Sequence, residues 1–209
     1  PGLTVNYEKI VYGGVDLSQH YQLHCSESIV RLNSITIPQI ETKLLEVSEM
    51  IDSGETPLPY IQYRQKMGFR PYEQSEIEKR LKRGIRLLKA LKDRISKNDR
   101  RKWDYVVLQS WQDVVADIDV GYGEFAQKFA EIAKEEDAKV ILYITAPHAQ
   151  NAFPVAAPPN LARTLEEMNA VSKLAERIRP HSVVPVALGM KSIQLGGTEM
   201  KFRYVNDMH

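Results

Sequence analysis

The side chains suited to proton transfer, nucleophilic attack or anion stabilisation are few in this chain. Its five histidines are His20, His24, His148, His181 and His209. His20, His24, His181 and His209 show no metal-ligand spacing with cysteines or carboxylates, so no structural zinc is expected. Cys25 is the single cysteine, which excludes an intramolecular disulfide and leaves cytoplasmic and exported compartments both open. His24 precedes Cys25 directly, yet neighbours in sequence do not thereby share a site, and no reactive thiol is expected. Ser110 follows an apolar run but lacks the glycine-flanked elbow of an α/β-hydrolase nucleophile. Gln109 and Gln112 offer amide donors near the end of that run, where such groups either cap backbone or face a substrate. His148 follows Ala146-Pro147 and reads either as a substrate contact or as a solvated loop side chain. No cofactor is expected.

The elements that must position these groups follow from periodicity. Residues 4–12 are β-rich and stop at Gly13-Gly14, which reads as a strand and a tight turn. Residues 17–37 mix polar and apolar positions without a dominant period. Residues 38–53 read as a helix, with Ile40, Leu44, Val47 and Ile51 on one face and Gly54 as the stop. The prolines, glycines and aromatics of residues 55–72 predict a surface loop. Ser75 and Glu78 fit a capping box that opens a helix with Ile77, Leu81, Ile85, Leu88, Leu91 and Ile95 as its apolar stripe, ending near residue 97.

Beyond it, residues 103–109 and 139–145 predict buried parallel strands. Residues 121–137 predict a helix with Phe125, Phe129, Ile132 and Ala133 inward. A long helix follows Pro158-Pro159-Asn160, with Leu161, Leu165, Met168, Val171 and Ile178 inward. Residues 182–188 predict an edge strand interrupted by Pro185. Strands alternating with helices predict a three-layer α/β/α sandwich around a mainly parallel, doubly wound sheet. In such folds the site lies at the carboxyl ends of the strands. That rule selects the chain from Gly13-Gly14 onward, residues 109–113 and residues 145–152.

Residues 11–20, with Gly13-Gly14 leading to His20, resemble the second conserved block of a branch of the SGNH/GDSL-type hydrolase family. Residues 103–110, WDYVVLQ and a serine, resemble that branch's third block, and residues 204–209 the approach to its last. The resemblance implies a flavodoxin-like scaffold and a serine ester hydrolase acting on a small-molecule or carbohydrate ester. It implies that Gly13 and Gly14 donate backbone N–H groups to an oxyanion. The side-chain donor of the third block becomes Gln109 or Gln112, where the commoner pattern has Asn. The last block allows two frames. In one, Asp207 is the catalytic acid and its histidine stands at position 210. In the other, His209 is the base and Asn206 takes the acid's place. Only a carboxylate stabilises the charged imidazole well, which favours the first frame. The family's Gly-x-Ser nucleophile turn has no counterpart in this sequence. The expectation is a single incomplete domain over residues 1–209, its first strand missing, with a helical and loop insertion around residues 20–100, inactive by itself. The alternative is a non-catalytic binding or interaction domain on the same scaffold.

Composition bounds the partners. The chain has 209 residues, 43% apolar and 26% charged, enough for one well-filled core. No apolar run approaches the roughly 18–20 residues that span a bilayer, so no membrane partner is expected. The net charge of +1 conceals +10 between Lys79 and Lys102 against −9 elsewhere. Those cations fall between the apolar positions of a helix, the pattern of a solvated face. Aromatic interleaving is absent there, and nucleic-acid binding is not expected.

Overall fold

A computed structural model describes residues 4–10, 15–110, 113–114, 118–144, 161–186, 188–189 and 192. Helix α1 (Leu17–Gln22) begins at Asp16, whose side chain accepts the Gln19 N–H as N-cap. A short α2 (Glu27–Val30) follows through Cys25, which holds a positive φ of 53°. Helix α3 (Ile37–Ser53) opens with a capping box between Thr36 and Gln39 and closes on Gly54 in the left-handed conformation. Helix α4 (Leu58–Lys66) occupies the stretch expected to be loop. Its prolines stand at the N-cap and in the first turn, positions where a missing N–H costs nothing.

Helix α5 (Gln74–Ser96) starts at Glu73, which forms a capping box with Glu76, two residues before the expected Ser75 and Glu78. Its stripe of Ile77, Leu81, Leu88, Leu91 and Ile95 is buried as the periodicity predicts. That stripe packs on α3, whose Ile40 and Val47 are buried. The chain is about 58% helix, so most of its core is helix against helix.

The sheet is small and parallel. Strands β1 (Tyr105–Leu108), β2 (Lys139–Ile144) and β3 (Ser182–Pro185) lie in sequence order, β1 aligned Val106 to Val140 and β2 aligned Leu142 to Val183. Helices α6 (Tyr122–Glu135) and α7 (Leu161–Ile178) make the crossovers and pack on each other. Phe125, Phe129, Ile132 and Ala133 of α6 are buried, as are Val171 and Leu174 of α7. Pro185 ends the edge strand β3, where no ladder donor is required.

Four expectations are corrected. Residues 4–10 form no strand; Glu8 ion-pairs with Arg94 at 2.7 Å, so this segment runs along α5 instead of joining the sheet. Strands β1 and β2 are parallel but not buried on both faces: Val140, Leu142 and Ile144 are covered, whereas Tyr105 and Val107 are exposed. Among the described residues α6 and α7 pack on the sheet. Leu165 of α7 is 53% exposed rather than inward. The aperiodic residues 17–37 hold α1 and α2, which are buried with their polar groups.

Gly84 marks a close approach of α5 to the end of α1. A Cβ there would stand 2.6 Å from the Leu23 carbonyl oxygen, backbone that cannot rotate away. In an exposed helix interior Gly→Ala stabilises by about 1 kcal/mol. Here Gly84→Ala is expected to destabilise by about 1–3 kcal/mol through overpacking, read as a lower urea midpoint with unchanged slope. A raised midpoint would show that α5 can move off Leu23 without loss.

Candidate active-site scaffold

The carboxyl end of β1 is built around one hydroxyl. Ser110 Oγ accepts the backbone N–H of Leu17 at 3.1 Å and donates to Asp113 Oδ1 at 2.5 Å. A contact 93 residues apart in sequence thus ties the start of α1 to the loop after β1. Asp16, one residue before Leu17, accepts the Gln19 N–H at 3.0 Å. Tyr122, at the start of α6, donates its hydroxyl to the Leu108 carbonyl at 3.2 Å and closes the strand end from below. Gly121 precedes it with φ +61°, and a Cβ there would meet Asp113 Cβ at 3.0 Å and Met67 Sδ at 3.1 Å. Only glycine suits that position.

Helix α4 supplies the other wall. The Tyr63 hydroxyl stands 2.8 Å from Asp113 Oδ2 and also engages Asp16. Arg64, buried, donates Nε to the Arg70 carbonyl at 2.9 Å and lays its guanidinium 4.1 Å from the Tyr72 ring centre. Arg80 of α5 stands 3.9 Å from the same ring and donates to Gln19 Oε1 at 2.8 Å. Gln19 in turn donates to the Tyr72 hydroxyl at 3.2 Å.

Asp16 and Asp113 are both almost fully removed from solvent. Burial, and for Asp113 the nearby Asp16 charge, push both carboxyls up, Asp113 to about 7. Two buried carboxylates opposed by the Arg64 cation balance when they share one proton. Tyr63 fits that arrangement. Its hydroxyl donates to Asp113 Oδ2 and also engages Asp16, so it links the two carboxyl groups. The same two acids hold the Tyr63 hydroxyl well above the usual phenol range, after burial itself.

This cluster can position but cannot attack. Ser110 is 2% exposed, and both of its bonds are internal. Gln109, the residue before it, is exposed, and its amide makes no hydrogen bond among the described residues. Of the residues expected to act, Gln109 alone is described. Gly13, Gly14, Gln112, His148, Asp207 and His209 lie outside the described residues. Val15, Asp16 and Leu17, which follow the glycine pair in sequence, are buried at the β1 end. Asp16, Tyr63 and Asp113 were not expected to act together. The one signal for Asp16 is its position as an N-cap; Tyr63 stands on a helix that the prolines concealed.

His20, His24 and Cys25 are buried within the fold. His20 Nδ1 meets Ser26 Oγ at 3.0 Å, and its ring stands edge-on to His24 at 5.5 Å. Burial lowers His20 to about 4; burial and then the charges of His20, Arg83 and Arg80 lower His24 to about 3. Burial pushes the Cys25 thiol up to about 12, the opposite of a reactive thiolate. Among the described residues no three His, Cys, Asp or Glu side chains converge as a metal site, and no helix is long and apolar enough to cross a membrane. No family model, no curated protein and no solved structure matches this chain.

The opposed shifts give a testable pH profile. Stability from a raised carboxyl pKa is fully present below its unfolded value, about 4, and is lost as pH rises through about 7. Stability from depressed histidines is present above about 6.5 and is lost as pH falls toward 4 and 3. Between pH 6.5 and 8.5 the two effects oppose each other, because the histidines of the unfolded chain are still half protonated at 6.5 while the acid pair gives up its proton near 7. The native urea midpoint is expected to change little across that window, and Asp113→Asn, which removes the falling contribution, to show a rise. A variant profile parallel to the native one from 6.5 to 8.5 would mean that Asp113 holds no proton there.

Proposed function

We propose that this chain carries the oxyanion side of an SGNH-type ester hydrolase, on a flavodoxin-like α/β/α scaffold whose first strand lies outside these residues. The observation that carries the reading is Gln109: an exposed amide without a partner among the described residues, at the carboxyl end of a parallel strand. It is mounted on the Ser110–Asp113 platform that also anchors Leu17, three residues after the Gly13-Gly14 pair. In this reading Gly13 and Gly14 supply backbone donors, Gln109 or Gln112 the side-chain donor, and His148 a substrate contact. Asp207 orients a histidine base, or His209 is itself that base. The substrate is a small-molecule or carbohydrate ester.

The chemistry assigns the platform its role. An oxyanion forms only in the transition state, so its donors act when they are held in place beforehand and need not reorganise. Ser110 is a positioning residue: its oxygen fixes Leu17, and it is too buried to reach an acyl carbon. The nucleophile required is a serine in a Gly-x-Ser turn, a tripeptide absent from residues 1–209. The reading therefore needs a polypeptide longer than this sequence. The second reading, a binding domain without catalysis, is favoured by the complete internal use of Ser110 and Asp113.

Hydrolysis of p-nitrophenyl acetate separates the two. Residues 1–209 are expected to release no p-nitrophenol above a heat-treated control, because loss of a serine nucleophile costs on the order of 10⁶ in turnover. A gene product that includes a Gly-x-Ser turn is expected to turn over ester, and Gln109→Ala in it to lower kcat about 100–1000-fold with little change in KM. Turnover by residues 1–209 that Ser110→Ala abolishes would overturn the assignment of Ser110. A gene product without the turn and without hydrolysis would leave the binding domain.

A further inference from the structure

The basic excess between Lys79 and Lys102 does not face solvent throughout. On α5, Arg83, Arg86, Leu87, Ala90, Leu91 and Arg94 line one wall of a cavity of about 310 Å³. The facing wall is Glu8, Lys9 and Ile10 of the N-terminal segment, and Ile29 of α2 closes it. Its residues are separate from those of the Asp16–Ser110–Asp113 cluster. Within it the charges are unevenly matched. Glu8 is the single carboxylate among the described lining residues, and Arg94 takes it at 2.7 Å while also holding Asp99 at 3.2 Å. Arg86 and Lys9 make no hydrogen bond or ion pair among the described residues, and both stand in the lining. The floor is apolar: Leu91 is fully buried, Ile29 is buried, and Ile10 and Leu87 are half-buried.

We infer that this groove binds a small amphiphilic organic anion, an aryl or short acyl chain ending in a phosphate, sulfonate or carboxylate. A cationic rim over low-dielectric walls concentrates anions. Guanidinium groups pair with such heads through two parallel N–H donors. The aliphatic floor is used only by a ligand with an apolar body. Its volume lies at the small end of the range for ligand sites, about 300–1000 Å³. Nucleic acid fits poorly, because the described lining residues include no aromatic side chain on which a base could stack. This inference does not use the hydrolase reading.

The probe is 1-naphthyl phosphate, titrated calorimetrically into residues 1–209, with 1-naphthol and inorganic phosphate as body-only and head-only controls. Saturable 1:1 binding at least about tenfold tighter than either control is expected. Arg86→Glu is expected to weaken it about tenfold or more, and Ala90→Trp to block the groove without changing charge. Lys89→Glu makes the same charge change on the same helix outside the lining and is expected to leave binding within about twofold. Arg86, Lys89 and Ala90 are all exposed, so the variants retain the fold, checked by far-ultraviolet circular dichroism. Equal losses for Arg86→Glu and Lys89→Glu would reduce the effect to diffuse charge. Phosphate binding as tight as naphthyl phosphate, or no saturable binding, would overturn the proposal.

Discussion

Ser110 accepts the N–H of Leu17 and donates to Asp113, and this one oxygen sets how the chain before α1 meets the chain after β1. Leu17 is at the first turn of a helix, where N–H groups have no intrahelical acceptor. Asp16 serves the Gln19 N–H, and Ser110 serves that of Leu17. Without the hydroxyl a buried donor is left unsatisfied, at about 1–3 kcal/mol, and Asp113 loses the bond that lowers its carboxyl pKa. Gly121 follows from the same constraint, since Asp113 leaves no room for a Cβ beside it.

The rest of the core explains why such a polar knot is tolerated. Helices α3 and α5 interlock through Ile40, Val47, Leu81 and Leu88, and α6 presses Phe125 and Phe129 toward Tyr21 and Tyr63. That apolar mass excludes water from the Asp16–Asp113 pair. Exclusion of water raises the cost of a second negative charge, so the pair keeps a proton near neutrality. Lys43 and Glu27 show the complementary case, a pair joined at 2.5 Å with the carboxylate buried and the ammonium partly solvated. Attraction to the carboxylate holds Lys43 above its ordinary range against the opposing effect of burial. Opposite charges stay charged when buried together, and like charges do not.

Periodicity made the long elements legible. The stripes of α3, α5 and α6, and the apolar runs of β1 and β2, stand within a few residues of where spacing puts them. Three things were hidden, each for a physical reason. Pro57 and Pro59 read as breakers, although at a helix start they remove donors that had no partner anyway. Residues 17–30 bury Ser18, Gln19, His20, His24, Ser26 and Ser28, and hydrophobic periodicity cannot register a helix whose inward side is polar. Residues 4–10 have strand propensity, but a strand exists only with a partner, and this segment found Arg94 instead. The strand-end rule did locate the Ser110–Asp113 loop. Tyr63 was beyond reach because its contact with Asp113 joins residues 50 apart.

In the proposed hydrolase reading, the sealed cluster and the open amide beside it divide the work that an oxyanion site needs done. A donor aimed at developing charge is useful in proportion to how little it moves, and an exposed glutamine on a loop would ordinarily move freely. Gln109 differs because its neighbours on both sides are pinned. Leu108 is fixed in the ladder and by Tyr122, and Ser110 is fixed by Leu17 and Asp113. Backbone immobilised on both flanks leaves only side-chain torsions to settle when a ligand binds. The buried charges serve the same end. With one proton between them, Asp16 and Asp113 carry a single negative charge, which the nearby Arg64 cation offsets. A second full negative charge at that strand end would oppose an oxyanion. Retaining the proton on Asp113 is therefore the electrostatic condition under which this strand end could favour one.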